Sequence, residues 1–228
     1  MKITCFLPCR KGSERIPNKN IRPFSSYRNG LIEIKLKQLS KVKEIDSIVL
    51  STNDEEIIRY AESTGIKNLI IHRRAEELSS SQTSTDDLVN HARSLVNEGH
   101  ILWTHVTSPF LNSDAYKKII LSYKEGLSQG YDSLMTTSLI QSFVWNERGP
   151  INYDRSVEKW PRTQTLIPLH EVNSAVFLSS VDIYTDRNDR IGENPKLYSL
   201  NKIEGHDIDW SEDFEIAESL IKAKIANV

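Results

Sequence analysis

Cysteine, methionine and glycine are scarce in this 228-residue chain, which has two cysteines, two methionines and nine glycines. So few cysteines exclude a disulfide-built scaffold. Both fall in the first apolar stretch, and if that stretch is one strand the Cα atoms of Cys5 and Cys9 lie roughly 13 Å apart, too far to bridge. They are expected as buried thiols in a reducing compartment. The dinucleotide fingerprint and the Walker loop are both absent, because neither glycine spacing occurs. Long apolar runs are missing too. No segment approaches the roughly 18 residues needed to span a bilayer, and the run from Ile3 to Pro8 is too short for a signal peptide. Nor is there an excess of one charge: 29 basic residues face 31 acidic ones, a net charge of -2. That balance argues against bulk attraction to nucleic acid or a membrane surface. The expectation is a soluble cytoplasmic protein with neither as a partner.

What is present is an alternation. The hydrophobic fraction of 38% suffices for one core, and the length fits a single domain over residues 1–228. Ile3–Leu7, Ser47–Ser51, Asn68–Ile71, Ile101–Thr104, Tyr131–Thr137 and Asn173–Ser179 read as strands. Leu31–Val42, a segment after the Thr52-Asn53-Asp54 cap, Thr85–Val96, Asn112–Leu127 and Glu212–Ala226 read as helices. Gly65 is expected to stop the second helix, and Ser113-Asp114 to cap the fourth. Strand–helix alternation predicts an α/β fold with a mostly parallel sheet and helices on both faces, with ligands at the carboxyl ends of the strands. Between residues 141 and 172 the rhythm breaks. That segment carries Trp145 and Trp160 and three prolines, and is expected to be a lid or an arm packing on a partner.

The stretch LPCRKGSERIPNKN, Leu7 to Asn20, follows the first strand directly. It combines Gly12, Ser13 and four cations, Arg10, Lys11, Arg15 and Lys19. Converging cations and free backbone N–H groups are what a polyphosphate requires, although a basic loop of this kind is also an ordinary solvated surface. Near the other end, Asp207-Ile208-Asp209 places two carboxylates two residues apart. In an extended segment both point to one side while Ile208 packs away. The same cluster also reads as the acidic start of the last helix.

The run Pro8-x-Arg10-x-Gly12-Ser13-x-x-x-Pro17-x-Lys19-Asn20 resembles the first motif of the acylneuraminate (CMP-sialic acid) cytidylyltransferases and their CMP-Kdo synthetase relatives. Ser51-Thr52-x-Asp54-Glu55-Glu56-Ile57 follows in the same order. So do Arg74 with Leu78, Ser84-Thr85, His91-Ala92, Thr107-Ser108-Pro109-Phe110, and Asp207-Ile208-Asp209 with Asp213 and Ala217-Glu218.

The resemblance implies a Rossmann-like three-layer nucleotidyltransferase domain with a small dimerisation arm. It implies transfer of CMP from CTP to the anomeric hydroxyl of an acidic 2-keto sugar. Arg10 and Lys19 would hold the triphosphate and stabilise the leaving pyrophosphate, aided by Ser13. Asn20 and Arg74 would address the cytidine, with Ser84 or Thr85 close to the base, and Asp207 and Asp209 would hold magnesium. Arg162, Gln164 and Asn173 match segments near the sugar, and in the family the arm swaps onto a second subunit of a homodimer.

The departures from the family pattern lie around the sugar. His105 and Val106 precede Thr107 where glutamine and proline are usual, and Ser174 replaces a glycine. The reading therefore leaves a sialic acid, a related nonulosonate or a Kdo-like octulosonate open as substrate. No general base is identified. The alternatives are a sugar-phosphate nucleotidyltransferase, a glycosyltransferase, or a nucleotide-binding relative without catalysis.

Overall fold

A computed structural model describes residues 1–80 and 82–228. Its centre is β1 (Ile3–Pro8), whose first five residues are buried. A strand so apolar along its length is expected where both faces of a parallel sheet are covered. β1 pairs in parallel with β2 (Ser47–Thr52) on one side and β4 (His100–Thr104) on the other. β3 (Leu69–Arg73) extends the sheet beyond β2, also in parallel. The full order is β3-β2-β1-β4-β8-β5-β9, where β5 is Ser133–Ile140, β8 Leu169–Ser180 and β9 Pro195–Leu200.

β8 runs antiparallel to both β4 and β5, while β5 and β9 are parallel. The reason is connectivity. β5 and β8 are the two legs of one long hairpin, with Ile140 paired to Leu169, so the chain returns without a crossover helix. The irregular segment is the tip of that hairpin. It carries a short ladder of β6 (Trp145–Asn146) with β7 (Gly149–Pro150) and a 3-10 turn at Thr163–Thr165. The arm thus spans 141–168, and residues 169–172, expected to belong to it, are sheet.

Helices close both faces, as the alternation predicts. On one side α1 (Gly30–Leu39), α2 (Glu55–Ser63), α4 (Ser113–Ser128) and α6 (Ser211–Lys222) bury Leu31, Ile57, Ile119 and Phe214 in one cluster with Leu7 and Leu102. On the other, α3 (Thr85–Leu95) and α5 (Val181–Arg187) bury Val89, Ala92 and Tyr184 against Phe6, Trp103 and Phe177. α5 and β9 were not anticipated, being short and only partly buried. Asp54 caps α2 through the Glu56 N–H, as read from sequence. α4 is capped one residue earlier than expected, by Asn112, whose side chain accepts from Asp114 and Ala115. Cys5 and Cys9 are free and buried, and Cys9 lies just past the end of β1. Among the described residues no helix is long and apolar enough to cross a membrane.

Candidate active site

A cleft of about 250 Å³ opens where β1 and β4 end, lined by residues that include Arg10, Ser13, Arg15, Lys19, His105 and Asp209. The loop after β1 forms one wall. Its shape is held from within: buried Ile16 anchors it in the core, and the Asn20 side-chain amide donates to the Arg10 carbonyl (3.0 Å). Asn53 at the end of β2 accepts the Lys11 N–H (2.8 Å). Gly12 adopts a φ of +75°, a conformation open to glycine at no steric cost. The motif read from sequence is therefore a fixed, cation-bearing loop aimed into a cleft.

Lys19 joins the two ends of the chain. Its ammonium is nearly buried and donates to the Ile208 carbonyl (2.6 Å) and to the Asp209 carboxylate (3.3 Å). Asp209 also pairs with Arg15 (3.1 Å), whose guanidinium lies 4.8 Å from the Trp210 ring centroid. Ile208 packs away into the core, fully buried, and its N–H donates to the Thr107 carbonyl (2.9 Å). The acidic triplet is not the cap of the last helix. That task falls to Asp213, whose carboxylate accepts from the N–H groups of Asp209 and Trp210.

Asp207 sits behind the lining. Burial raises its pKa, opposed by a hydrogen bond with Thr107 and reinforced by the neighbouring charge of Asp209. The donor set fits a hard divalent cation. The Asp207 and Asp209 carboxylates lie within electrostatic reach of each other, and among the described residues Asp209, facing the cleft, pairs with the side-chain cations Arg15 and Lys19.

Seven of the residues singled out from the sequence line this cleft: Arg10, Ser13, Lys19, Asn20, His105, Thr107 and Asp209. Arg74 lies below, buried, with its Nε donating to Ser79 (3.1 Å). Burial lowers its pKa, partly countered by the Cys9 thiol. Ser84 and Thr85 are exposed and outside the lining; the Ser84 hydroxyl caps α3 with Asp87. Arg162 and Gln164 are exposed on the arm.

Asn173 lies in the hairpin. Its side-chain amide oxygen accepts from the Thr136 hydroxyl (2.7 Å) and from the Ala175 N–H (3.2 Å). It braces a bulge that shifts the β5–β8 register between Met135 and Thr137.

Two residues went unremarked in the sequence. Trp103 donates its indole N–H to His105 Nε2 (3.0 Å); residues two apart on a strand share a face, a signal that was available. Lys35 sits four residues after Leu31 on the apolar face of α1. Fully buried, it donates to the Ser108 carbonyl (2.8 Å) and the Tyr116 hydroxyl (2.9 Å).

A parallel-sheet α/β domain with a rigid cationic loop at the strand ends defines a nucleotide-binding transferase of the nucleotidyltransferase class. The sequence model of the cytidylyltransferase family matches residues 4–225, and the chain belongs to that family. It is 27% identical over 231 residues to the pseudaminic acid cytidylyltransferase of Campylobacter jejuni, covering 97% of each chain. It is 26% identical over 220 residues to the N-acylneuraminate cytidylyltransferase of Streptococcus agalactiae, covering 94% of this chain and 52% of that protein. Among solved structures, a CMP:2-keto-3-deoxy-manno-octonic acid synthetase complexed with CTP superposes with a TM-score of 0.69. The match has 15% identity and covers 98% of this chain and 100% of that one; it bears on the fold.

Proposed function

We propose that this chain transfers CMP from CTP to the anomeric hydroxyl of an acidic 2-keto sugar of the nonulosonate type, releasing pyrophosphate. The observation that carries the reading is the convergence of Arg10, Ser13 and Lys19 with Asp209 in one cleft of a cytidylyltransferase fold. The sugar hydroxyl attacks the α-phosphorus, a new O–P bond forms, and the bond to the β-phosphate oxygen breaks. Negative charge grows on the departing pyrophosphate, and Arg10 and Lys19 are the fixed cations that stabilise it, with Ser13 donating to the same oxygens. Asn20 keeps the loop in register, and Arg74 with Ser84 or Thr85 forms the cytidine side. Thr107, Asn173 and His105 belong to the acceptor side.

Asp207 and Asp209 would hold a magnesium ion, whose contribution when bound is to offset triphosphate charge. Arg15, which pairs with Asp209 and lines the same cleft, is a further cation on hand for the phosphates.

The nonulosonate preference rests on the named activities of the two relatives, both full-span matches of this chain. We place the reaction in the cytoplasm with CTP, in keeping with two free thiols. A homodimer completes the reading. The arm exposes Trp145 and Trp160, stacked with centroids 6.1 Å apart, and Arg162 and Gln164 on it lie outside the lining of the cleft at the ends of β1 and β4. Aromatic anchors of this kind suit an interface. A second copy would receive those two side chains at its acceptor site.

The test is pyrophosphate release with magnesium and CTP against ATP, GTP and UTP, over a panel of pseudaminic, legionaminic and neuraminic acids and Kdo. Turnover with CTP and a nonulosonate is expected. Turnover with Kdo alone would move the assignment to an octulosonate synthetase. CTP binding without turnover on any sugar would make the chain a non-catalytic relative.

A further inference from the structure

We propose that Trp103 fixes His105 as a neutral imidazole with its proton on Nδ1, making His105 a hydrogen-bond donor to an acceptor oxygen of the acidic sugar and excluding it as the general base. The substrate half of this inference rests on the function proposed above; the tautomer half does not.

The argument begins with the indole. A tryptophan N–H donates and cannot accept. Trp103 Nε1 stands 3.0 Å from His105 Nε2, so that ring nitrogen must present its lone pair. A neutral ring with Nε2 unprotonated carries its hydrogen on Nδ1. His105 as a residue is only partly buried, and its Nδ1 makes no hydrogen bond among the described residues. It is the free donor of a residue that lines the cleft.

Trp103 itself has little freedom. It is 1% exposed, meets Phe6 edge-to-face at 4.8 Å, and is covered by the Arg190 guanidinium, 4.9 Å from its centroid and 3.6 Å from that of Phe177.

Protonating His105 would set two N–H groups against each other. The surroundings oppose it as well. Burial drives the imidazole pKa down to about 3, and the charges of Arg190, Lys35 and Lys19 push the same way against the single carboxylate of Asp209. These four reach the ring from the α5–β9 connection, from α1, from the phosphate loop and from the segment before α6. Arg190 makes no ion pair among the described residues, although the Asp189 carboxylate lies near enough to act on its charge.

Chemically, the ring offers one fixed proton and no basic lone pair. Its counterpart on the sugar must be an acceptor, such as a carbonyl or carboxylate oxygen. The proton leaving the anomeric hydroxyl must go elsewhere.

The decisive measurement is ring-nitrogen NMR on histidine-labelled wild-type protein, with the His105 signal assigned by its loss in His105→Gln. Expected is an unprotonated Nε2 and a protonated Nδ1, unchanged from about pH 5.5 to 8. A protonated Nε2, or titration near the ordinary histidine pKa of about 6.5, overturns the proposal. This holds whether or not any sugar is turned over. In Trp103→Phe the tautomer preference should disappear and the pKa rise; if that variant fails to fold, the wild-type spectrum still decides. With CTP and pseudaminic acid, His105→Ala should raise the sugar KM about tenfold and leave the CTP KM alone, with part of the loss recovered in His105→Gln. A collapse of kcat by about 10³-fold at unchanged sugar KM would instead mark His105 as the base.

Discussion

The two walls of the cleft are built on different plans. The wall that would face the triphosphate is one continuous loop, residues 8–20, tied to the end of β2 through Lys11 and Asn53, anchored in the core by Ile16, and braced within itself by Asn20 and Arg10. The wall that would face the acceptor is assembled from the residues just past β4 (His105 to Thr107) and the segment before α6; the braced bulge in β8 lies outside the lining, with Asn173 beside Gly205 of that segment. One wall carries cations from neighbouring positions; the other collects single polar groups from distant ones. A triphosphate needs the same chemistry in every member of a family, and a contiguous loop supplies it. The acceptor is what distinguishes members, and a wall of separable parts allows it to be changed. Variants that strike the shared wall should remove activity altogether, and those on the acceptor wall should alter affinity, pH response or stability.

Asp209→Ala tests the junction of the two walls and should have the largest effect. The side chain is 48% exposed, so the fold should survive with a circular dichroism melt close to wild type. Lys19 keeps its bond to the Ile208 carbonyl, while Arg15 loses its carboxylate. Turnover by pyrophosphate release should fall by about 10²-fold or more, with a steeper magnesium requirement. Wild-type turnover in the variant would remove Asp209 from the metal and phosphate machinery.

Lys35→Met sharpens the comparison from beneath the acceptor wall, where Lys35 braces the Ser108 carbonyl. Burial lowers the pKa of this ammonium to about 7, with the Cys5 thiol and Asp207 nearby opposing the drop. The folded pKa lies below the ordinary value, so the unfolded chain binds more protons between pH 7 and about 10. Stability must therefore rise with pH across that window, and the penalty of a buried charge is full below pH 7. The methionine variant should lack this rise. Its urea-unfolding free energy relative to wild type should worsen by on the order of 1 kcal/mol between pH 7 and 8.5. A difference that does not change with pH would mean Lys35 keeps an ordinary pKa.

These contrasts explain what was legible beforehand. β1, β2 and the phosphate loop were readable because local signals coincide there: a continuous apolar strand, then cations at close spacing. Period two put the Asp207 and Asp209 carboxylates on one side of an extended segment; Asp209 lines the cleft and Asp207 lies outside its lining. The antiparallel course of β8 was not, because strand direction is set by connectivity, and residues 141–168 do not betray that they are a hairpin tip. α5 and β9 are short, and the alternation of apolar residues in them is weak. His105 was singled out with its role open, since a tautomer depends on a partner's geometry. Lys35 went unremarked because a charged residue type does not announce burial, even four residues after Leu31 on the apolar face of α1. Ser84 carries two signals at once: its match to a base-pocket stretch coincides with a capping box, in which its hydroxyl accepts from the Asp87 N–H.

Ser174→Gly should have the smallest effect and probes why the acceptor wall holds its shape. Ser174 adopts φ of 57°, a left-handed conformation that costs a residue bearing a Cβ on the order of 1 kcal/mol. The bulge imposes it. Thr136 and Asn173 satisfy the backbone around it, with the Val176 N–H donating to the Thr136 hydroxyl (2.9 Å) and the Ala175 N–H to the Asn173 side-chain oxygen (3.2 Å). Glycine would adopt this conformation without strain, offset in part by the greater entropy of the unfolded chain. A net gain below about 1 kcal/mol should raise the melting temperature by at most about 2–4 °C. If the bulge also sets the acceptor wall, the sugar KM should stay near wild type in Ser174→Gly, which keeps the conformation. It should rise in Ser174→Val, whose branched side chain resists a positive φ. Equal melting temperatures for the serine and glycine proteins would show that the hydrogen-bonded brace absorbs the strain.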